Sequence, residues 1–309
     1  MPSNTNSEST LDALSNDLAT AVERAGRATV AVHARPRIPS TGVHWRAGVI
    51  VTAAHTMKRD EEITVTLADG RTVSAAIAGR DPATDIAVLR LENHDAPPAE
   101  LGESAALKVG HIVLALGRAG GDVSASLGLV SAISTDWRTW HGGVIDRLIH
   151  LDLAIYDGFS GGPLVDARGA IVGINSSGVA RGLAASIPRS TVDRVTDQLL
   201  SAGRIARGYV GLAMQPVRLP SALMHELALP SDGGVILVGV EAGGPGATAG
   251  AMIGDVVVAL DGKPVRNTDD LLVLLGPESV GKHVQARIIR GGALHELSIV
   301  VGERSRRHR

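Results

Sequence analysis

Three fragments of this 309-residue chain carry side chains suited to acyl transfer. In Gly158-Phe159-Ser160-Gly161-Gly162-Pro163, glycines on both sides of a serine allow a tight turn that exposes the hydroxyl. They also leave neighbouring N–H groups free to converge on one point, which a developing oxyanion requires. In Ile50-Val51-Thr52-Ala53-Ala54-His55, an apolar β-branched run ends in small residues and a histidine. That is the pattern of a buried strand delivering an imidazole to the end of a sheet. In Asp81-Pro82-Ala83-Thr84-Asp85-Ile86-Ala87-Val88-Leu89, Asp85 sits at the mouth of a core strand. A buried carboxylate is costly unless satisfied, and the Nδ1–H of a histidine is a fitting partner. Singly, these residues read equally well as a satisfied core histidine, a strand or turn cap and a loop serine. Together, His55, Asp85 and Ser160 supply a base, its orienting acid and a nucleophile.

Composition sets the frame around them. The length points to two domains, and the 44% apolar content is enough for real cores. Aromatics are only 2%, so those cores must be built from Val, Ile, Leu and Ala, with 37 glycines serving turns. A formal net charge of −2 gives no sign of nucleic-acid or membrane-surface binding. The basic end from Glu303 to Arg309 reads as a solvated tail. There is no cysteine, hence no disulfide or thiol chemistry. His225-Glu226 and His295-Glu296 each lack the second histidine of a zinc-protease helix, and Gly262-Lys263 and Gly281-Lys282 lack the Ser or Thr of a phosphate-binding loop. No metal or other cofactor is expected. Residues 1–10 are polar and expected to be disordered. Leu11, Leu14, Leu18, Val22 and Ala25 follow helical spacing, which is an amphipathic helix and neither a signal segment nor a membrane span. As read, the chain is cytoplasmic, with the periplasm as the alternative if a leader is missing.

From Thr29 to Ile187 short β runs alternate with turn signals. Ile63–Leu67 and Thr72–Ala78 flank Asp69-Gly70, a hairpin signal, and further runs span Ile86–Leu91, His111–Leu116, Leu127–Ile133, Arg147–Leu153, Pro163–Val165 and Ile171–Ser176. Ten to twelve strands at this spacing predict a pair of closed antiparallel barrels or a sandwich. In the two-barrel arrangement the site falls in the crevice between halves. A helix follows over Pro188–Ala202, capped by Ser190 or Thr191 and ended by Gly203. A short basic link with Arg204 and Arg207 leads at about Gly208 into a small α+β module. Its strands are Tyr209–Ala213, Val235–Val240, Asp255–Leu260, Val284–Ile289 and Leu294–Val301, and a helix is entered at Asn267 or Thr268.

With these motifs the sequence resembles the HtrA (DegP-like) family of serine endopeptidases over about Val30 to Val301. The resemblance rests on the three fragments above, on Val172-Gly173-Ile174-Asn175 and on Ala185-Ser186-Ile187-Pro188. In the C-terminal region it rests on Gly208-Tyr209-Val210-Gly211-Leu212, Pro245-Gly246-Ala247 and Gly254-Asp255 through Pro264-Val265. It implies a mainly β fold, a trypsin-like double β-barrel followed by a small α+β PDZ domain. The domains would be a polar tail and helix at 1–28, the protease at 29–203, the PDZ domain at 204–302 and a basic tail at 303–309. By this resemblance Ser160 is the nucleophile, His55 the general base and then acid, and Asp85 the orienting group, with the N–H groups of Gly158 and Ser160 as the oxyanion hole. Ala154 stands where trypsin-like enzymes keep an acid, and with Phe159, Leu183 and Ala184 it would line an apolar specificity pocket that rejects cationic side chains. Substrates would be unfolded or misfolded proteins cut after small aliphatic residues. Tyr209, Val210, Gly211 and Leu212 would receive peptide C-termini as an added strand.

Some residues depart from the family pattern. Phe159 replaces a small polar residue, and either packs benignly or crowds the mouth of the specificity pocket or the oxyanion turn. The family's trimers use N-terminal aromatics, and residues 1–44 have none. Trp137 and Trp140 lie in Thr135–Val144, matching the family's activation-sensing loop, and either pack on the barrel or contact the PDZ domain or its peptide. The alternative to a protease is a catalytically silent PDZ scaffold or a chaperone.

Overall fold

The computed structural model describes residues 9–92, 96–139, 142–180, 183–205, 208–276 and 279–303. The polar stretch 1–8, Trp140, Gly182, Arg207 and the basic end 304–309 lie outside them. The chain divides into two compact units, with the boundary after Ile205.

The first unit opens with helix α1 (Thr10–Gly26), capped by Ser9, whose Oγ accepts from the Asp12 N–H. Its docking face is made of small residues, Ala21, Ala25 and Gly26. Strands β1 (Thr29–His33), β2 (Ser40–Arg46), β3 (Val49–Ala53), β4 (Ile63–Thr66), β5 (Thr72–Asp81) and β6 (Ile86–Leu91) close into one antiparallel barrel, in the order β1-β2-β3-β6-β5-β4. A second barrel follows from β7 (Ile112–Gly117), β8 (Ser124–Arg138), β9 (Val144–Asp152), β10 (Pro163–Asp166), β11 (Ile171–Ser176) and β12 (Ala185–Pro188), in the order β10-β11-β12-β9-β8-β7. The double barrel is thus the fold, and the sandwich is not. Every residue of β3 is buried, which is why its sequence is a continuous apolar run rather than an alternation. The core is mostly aliphatic, as the composition requires, with Trp45 and Phe159 as buried aromatics; the Trp45 Nε1–H donates to Asp193.

Three local expectations change. Helix α2 (Arg189–Ala202) starts without a side-chain cap, because Thr191 is fully buried and bonds Asp146 instead. It does end at Gly203, in the left-handed conformation with φ 71°. Of the segment 135–144, residues 135–138 belong to β8 and Val144 to β9, so these parts are hairpin strand rather than loop. Trp137 on β8 pairs with Ile145 on β9, stands edge-on to His150 with ring centroids 5.6 Å apart, and packs on the core. The single strand expected at Tyr209–Ala213 is broken at Val210-Gly211.

The second unit consists of β13 (Gly208–Tyr209), β14 (Leu212–Arg218), α3 (Ser221–Glu226), β15 (Gly233–Val240), α4 (Pro245–Thr248), β16 (Val256–Leu260), β17 (Lys263–Pro264), α5 (Thr268–Leu274), β18 (His283–Arg290), β19 (Ala293–Val300) and β20 (Gly302–Glu303). Its sheet runs β14-β15-β16-β18-β19, and β13 pairs with β20. Helix α5 is capped by Asn267, which accepts from the N–H groups of Asp269 and Asp270. Among the described residues no helix is long and apolar enough to cross a membrane.

One charged group is buried in this small core. Asp255 is 1% exposed and accepts from Arg290 Nε and Nη2, both at 2.7 Å, and from the Met252 N–H at 2.8 Å. Burial pushes its carboxyl up, but the hydrogen bonds and charge of Arg290 outweigh it and hold the carboxyl below its ordinary value. A depressed folded value contributes stability that is present above the unfolded value of about 3.9 and lost as pH falls through the folded one. Acid should therefore begin to loosen this unit below about pH 4, where the unfolded carboxyl takes up a proton, and continue until the folded carboxyl does so. Asp255→Ala should cost stability near the low end of about 3–5 kcal/mol, because Arg290 is left partly exposed rather than fully buried. Urea denaturation at pH 7 and pH 3 measures both, and equal losses at the two pH values would contradict this role.

Candidate active site

Strand β3 ends at Ala53, and a single 3-10 turn over Ala54–Thr56 presents His55 at the rim of the first barrel. The turn before β6 is shaped by Asp81, whose carboxylate accepts from the N–H groups of Ala83 and Thr84 and from the Thr84 hydroxyl. This turn places Asp85 in the left-handed region at φ 60°, a conformation aspartate tolerates better than most residues. The Asp85 carbonyl accepts from the Ala54 N–H at 3.0 Å, which locks the two turns together. Its carboxylate then accepts from the His55 N–H at 2.8 Å and from His55 Nδ1 at 2.7 Å. With Nδ1 carrying the proton toward the carboxylate, Nε2 keeps its lone pair for the open side.

The serine arrives from the second barrel. Gly161 has φ 88°, and a Cβ there would lie 2.2 Å from the Thr41 carbonyl oxygen and 2.3 Å from Thr52 Oγ1. A Cβ at Gly162 would lie 2.1 Å from the Leu116 carbonyl oxygen. Gly161 is thus needed both for conformation and for close approach between the barrels, and Gly162 for close approach to β7 within the second barrel. Gly158 has φ 90° and occupies the third position of a turn closed by the Phe159 N–H to the Tyr156 carbonyl at 3.0 Å. Phe159 does not distort that turn. Its ring is 3% exposed, stands edge-on to Tyr156 at 5.4 Å, and occupies the space where a Gly117 Cβ would be. No hydrogen bond to the N–H of Gly158 or of Ser160 occurs among the described residues. Of the other residues expected to line a pocket, Ala154 and Leu183 are exposed and Ala184 is half-buried, its carbonyl accepting from the Leu151 N–H.

Three residues that sequence reasoning passed over complete the site. The Ser176 hydroxyl donates to Asp85 Oδ2, and the Gly178 N–H donates to Ser176 Oγ at 2.9 Å. A Cβ at Gly178 would lie 3.0 Å from both Asp85 Oδ2 and His55 Nδ1. Ser177 stands between nucleophile and imidazole: its Oγ is 3.0 Å from Ser160 Oγ and 3.4 Å from His55 Nε2, and its N–H lies 3.3 Å from Ser160 Oγ. The signal available was the Ser176-Ser177-Gly178 run directly after Gly173-Ile174-Asn175, at the end of a buried strand.

Residues 40–174 match the trypsin-like peptidase domain family and residues 208–301 the PDZ domain family. A probable periplasmic serine endoprotease DegP-like of Halomonas elongata is 37% identical over 262 residues, 83% of this chain and 54% of its own. The protein of the same name in Pseudomonas fulva is 38% identical over 261 residues, 82% and 53% of the respective chains. The chain thus spans about half the length of the curated relatives it matches. Among solved structures, the HtrA-type protease AlgW with decapeptide aligns with a TM-score of 0.73 at 27% identity, covering 94% of this chain and 99% of that one. The serine endoprotease from Yersinia pestis gives 0.71 at 27% identity, covering 93% and 98%.

The chain belongs to the HtrA/DegP-like family.

In HtrA terms the second unit is the PDZ domain, and Tyr209–Leu212 spans the break between β13 and β14. Gly211, at φ 68°, makes that turn, and the carbonyls of Val210 and Gly211 accept from the N–H groups of Gly246 and Glu241. Strand β14 is an end strand of the sheet with α5 beside it, and no strand covers its outer edge among the described residues. Such an edge can accept one more strand.

Gly161→Ala should damage both turn and nucleophile. Left-handed strain alone costs about 1–3 kcal/mol for a residue with a Cβ, before the clash with Thr41 and Thr52 is counted. The expected result is a lower Tm together with loss of fluorophosphonate labelling at Ser160. Wild-type labelling in the variant would show that the glycine is dispensable.

Proposed function

We propose that this chain is a serine endopeptidase of protein quality control that cleaves unfolded or misfolded proteins after small aliphatic residues. The observation that carries the reading is the 2.7 Å hydrogen bond from His55 Nδ1 to Asp85, with the Ser160 hydroxyl one side chain away from His55 Nε2. Ser160 Oγ adds to the scissile carbonyl carbon as His55 Nε2 takes its proton, and Asp85 stabilises the imidazolium without being protonated itself. The charge on the carbonyl oxygen falls to the N–H groups of Gly158 and Ser160. His55 then returns the proton to the leaving amine, and water releases the acyl group by the same route. The pocket residues Ala154, Phe159, Leu183 and Ala184 bring no charge, which favours small apolar side chains over Lys or Arg.

The PDZ groove at Tyr209–Leu212 takes a peptide C-terminus, whose backbone extends the edge of β14. AlgW was solved with a decapeptide and a tripeptide, which supports a peptide as the ligand class. The relatives' names carry the periplasm, and we place this chain there rather than in the cytoplasm. A homo-oligomer, a trimer by family resemblance, is tested by light scattering of the purified chain. The silent scaffold required a turn deformed by Phe159, and the intact Tyr156–Phe159 turn argues against it.

Ser160→Ala should abolish both casein degradation and fluorophosphonate labelling, and residual cleavage equal to wild type would remove Ser160 from the mechanism. Ser177 shares the Ser160 hydroxyl in the resting arrangement and has to release it before attack. A neutral hydrogen bond contributes about 1 kcal/mol net, so Ser177→Ala should raise the labelling rate roughly two- to tenfold. A slower rate would instead make Ser177 part of the proton path.

A further inference from the structure

One buried cation is not used by this chemistry. Arg118 is 9% exposed, and among the described residues no carboxylate pairs with its guanidinium. Its donors go to backbone carbonyls: Nε to Thr29 on β1 at 2.8 Å, Nη1 to Gly121, and Nη2 to Gly26 at 3.3 Å. Burial pushes its proton affinity below the ordinary arginine value, with the charge of Asp122 opposing. Placing a cation here is costly, and a planar fork of five donors is the group that can satisfy it with carbonyls alone. Gly26 is the last residue of α1, where helix carbonyls lack intrahelical partners and the dipole favours positive charge.

The loop that bears Arg118 is also the surface on which the oxyanion turn is formed. Gly117 leaves the space that the Phe159 ring fills, and a Cβ at Gly158 would come 2.4 Å from Ala119 Cβ. The Arg118 N–H donates to Thr41 Oγ1 at 2.8 Å. That hydroxyl in turn donates to the Gly158 carbonyl at 2.6 Å, and the Thr41 N–H reaches the same oxygen at 2.9 Å. The orientation of the Gly158–Phe159 peptide is therefore set by Thr41 and the 117–121 loop, and the loop is anchored by Arg118 to α1 and β1.

We infer that Arg118 is a positioning residue for the oxyanion turn, coupling the docking of the N-terminal helix to the catalytic competence of Ser160. The inference rests on the protease reading above. If α1 undocks, the guanidinium loses its Gly26 partner, the loop loosens, and the Gly158 N–H leaves the place where charge develops. The Arg118 hydrogen bonds reach none of Ala154, Leu183, Ala184 or the PDZ groove, so the loss falls on kcat more than on KM.

The test compares wild type, Arg118→Ala and Arg118→Lys in full-length protein. The readouts are kcat and KM on a chromogenic peptide with Ala before the cut, and the inhibition constant of the matching peptide boronate. For Arg118→Ala, kcat should fall about 10- to 100-fold, less than the hundred- to thousandfold loss from deleting an oxyanion donor outright. KM should stay within about threefold, boronate affinity should fall in parallel with kcat, and millimolar guanidinium should restore part of the rate. Arg118→Lys, which keeps the charge and the aliphatic stem, should lose about three- to tenfold in kcat, and is the variant read if the alanine form does not fold. An active wild type with unchanged kcat in the folded variant, or a change confined to Tm or KM, overturns this inference alone. A wild type that neither cleaves nor labels removes the protease reading and this inference with it.

Discussion

A carboxylate that is only 5% exposed has to be met by donors that folding brings to it, and Asp85 is met by three: the His55 backbone, the His55 ring and the Ser176 hydroxyl. Two come from the turn after β3 and one from the end of β11 in the other barrel. Satisfying this one group therefore draws both barrels to a common point. Its left-handed backbone is the kind of local cost that persists only where the surroundings over-determine it. The carbonyl bond to Ala54 and the Asx turn at Asp81 supply that determination from the two sides.

The approach of the barrels is controlled by absence of side chains as much as by their presence. Gly161 and Gly178, both from the second barrel, each lie where a methyl group would crowd the first: the Thr41 carbonyl and Thr52 Oγ1 for one, Asp85 and His55 for the other. Thr41 of the first barrel then bonds the facing segments of the second, its Oγ1 donating to the Gly158 carbonyl at 2.6 Å and accepting from the Arg118 N–H at 2.8 Å. These polar contacts are buried and directional, so they specify how the barrels meet, whereas the aliphatic cores of each barrel specify only that they exist.

Much of this could be read from the residues alone. The Asp69-Gly70 hairpin, the continuous apolar run of β3 and the Gly203 stop are local signals with local causes, and they fell where expected. What escaped was long-range. Ser176 lies 91 positions from Asp85 and Thr41 lies 117 from Gly158, so no window of sequence contains either pair. The cap expected at Ser190 or Thr191 failed for a related reason: a buried threonine satisfies itself through tertiary partners before local ones. Trp137 looked like loop because its neighbours are polar, yet cross-strand pairing with Ile145 makes it strand. Arg118 had no pattern to betray it, since an arginine in a glycine-rich stretch reads as solvated until its burial is known.

The three tryptophans, Trp45, Trp137 and Trp140, all belong to the first unit, and Trp45 is buried to 1% with its indole held by Asp193 of α2. Intrinsic emission is consequently a private channel of the double barrel. Melting watched at the indole wavelengths reports the peptidase unit only, while a calorimeter registers both units. A calorimetric transition with no counterpart in the indole trace then belongs to the C-terminal unit, with no label needed.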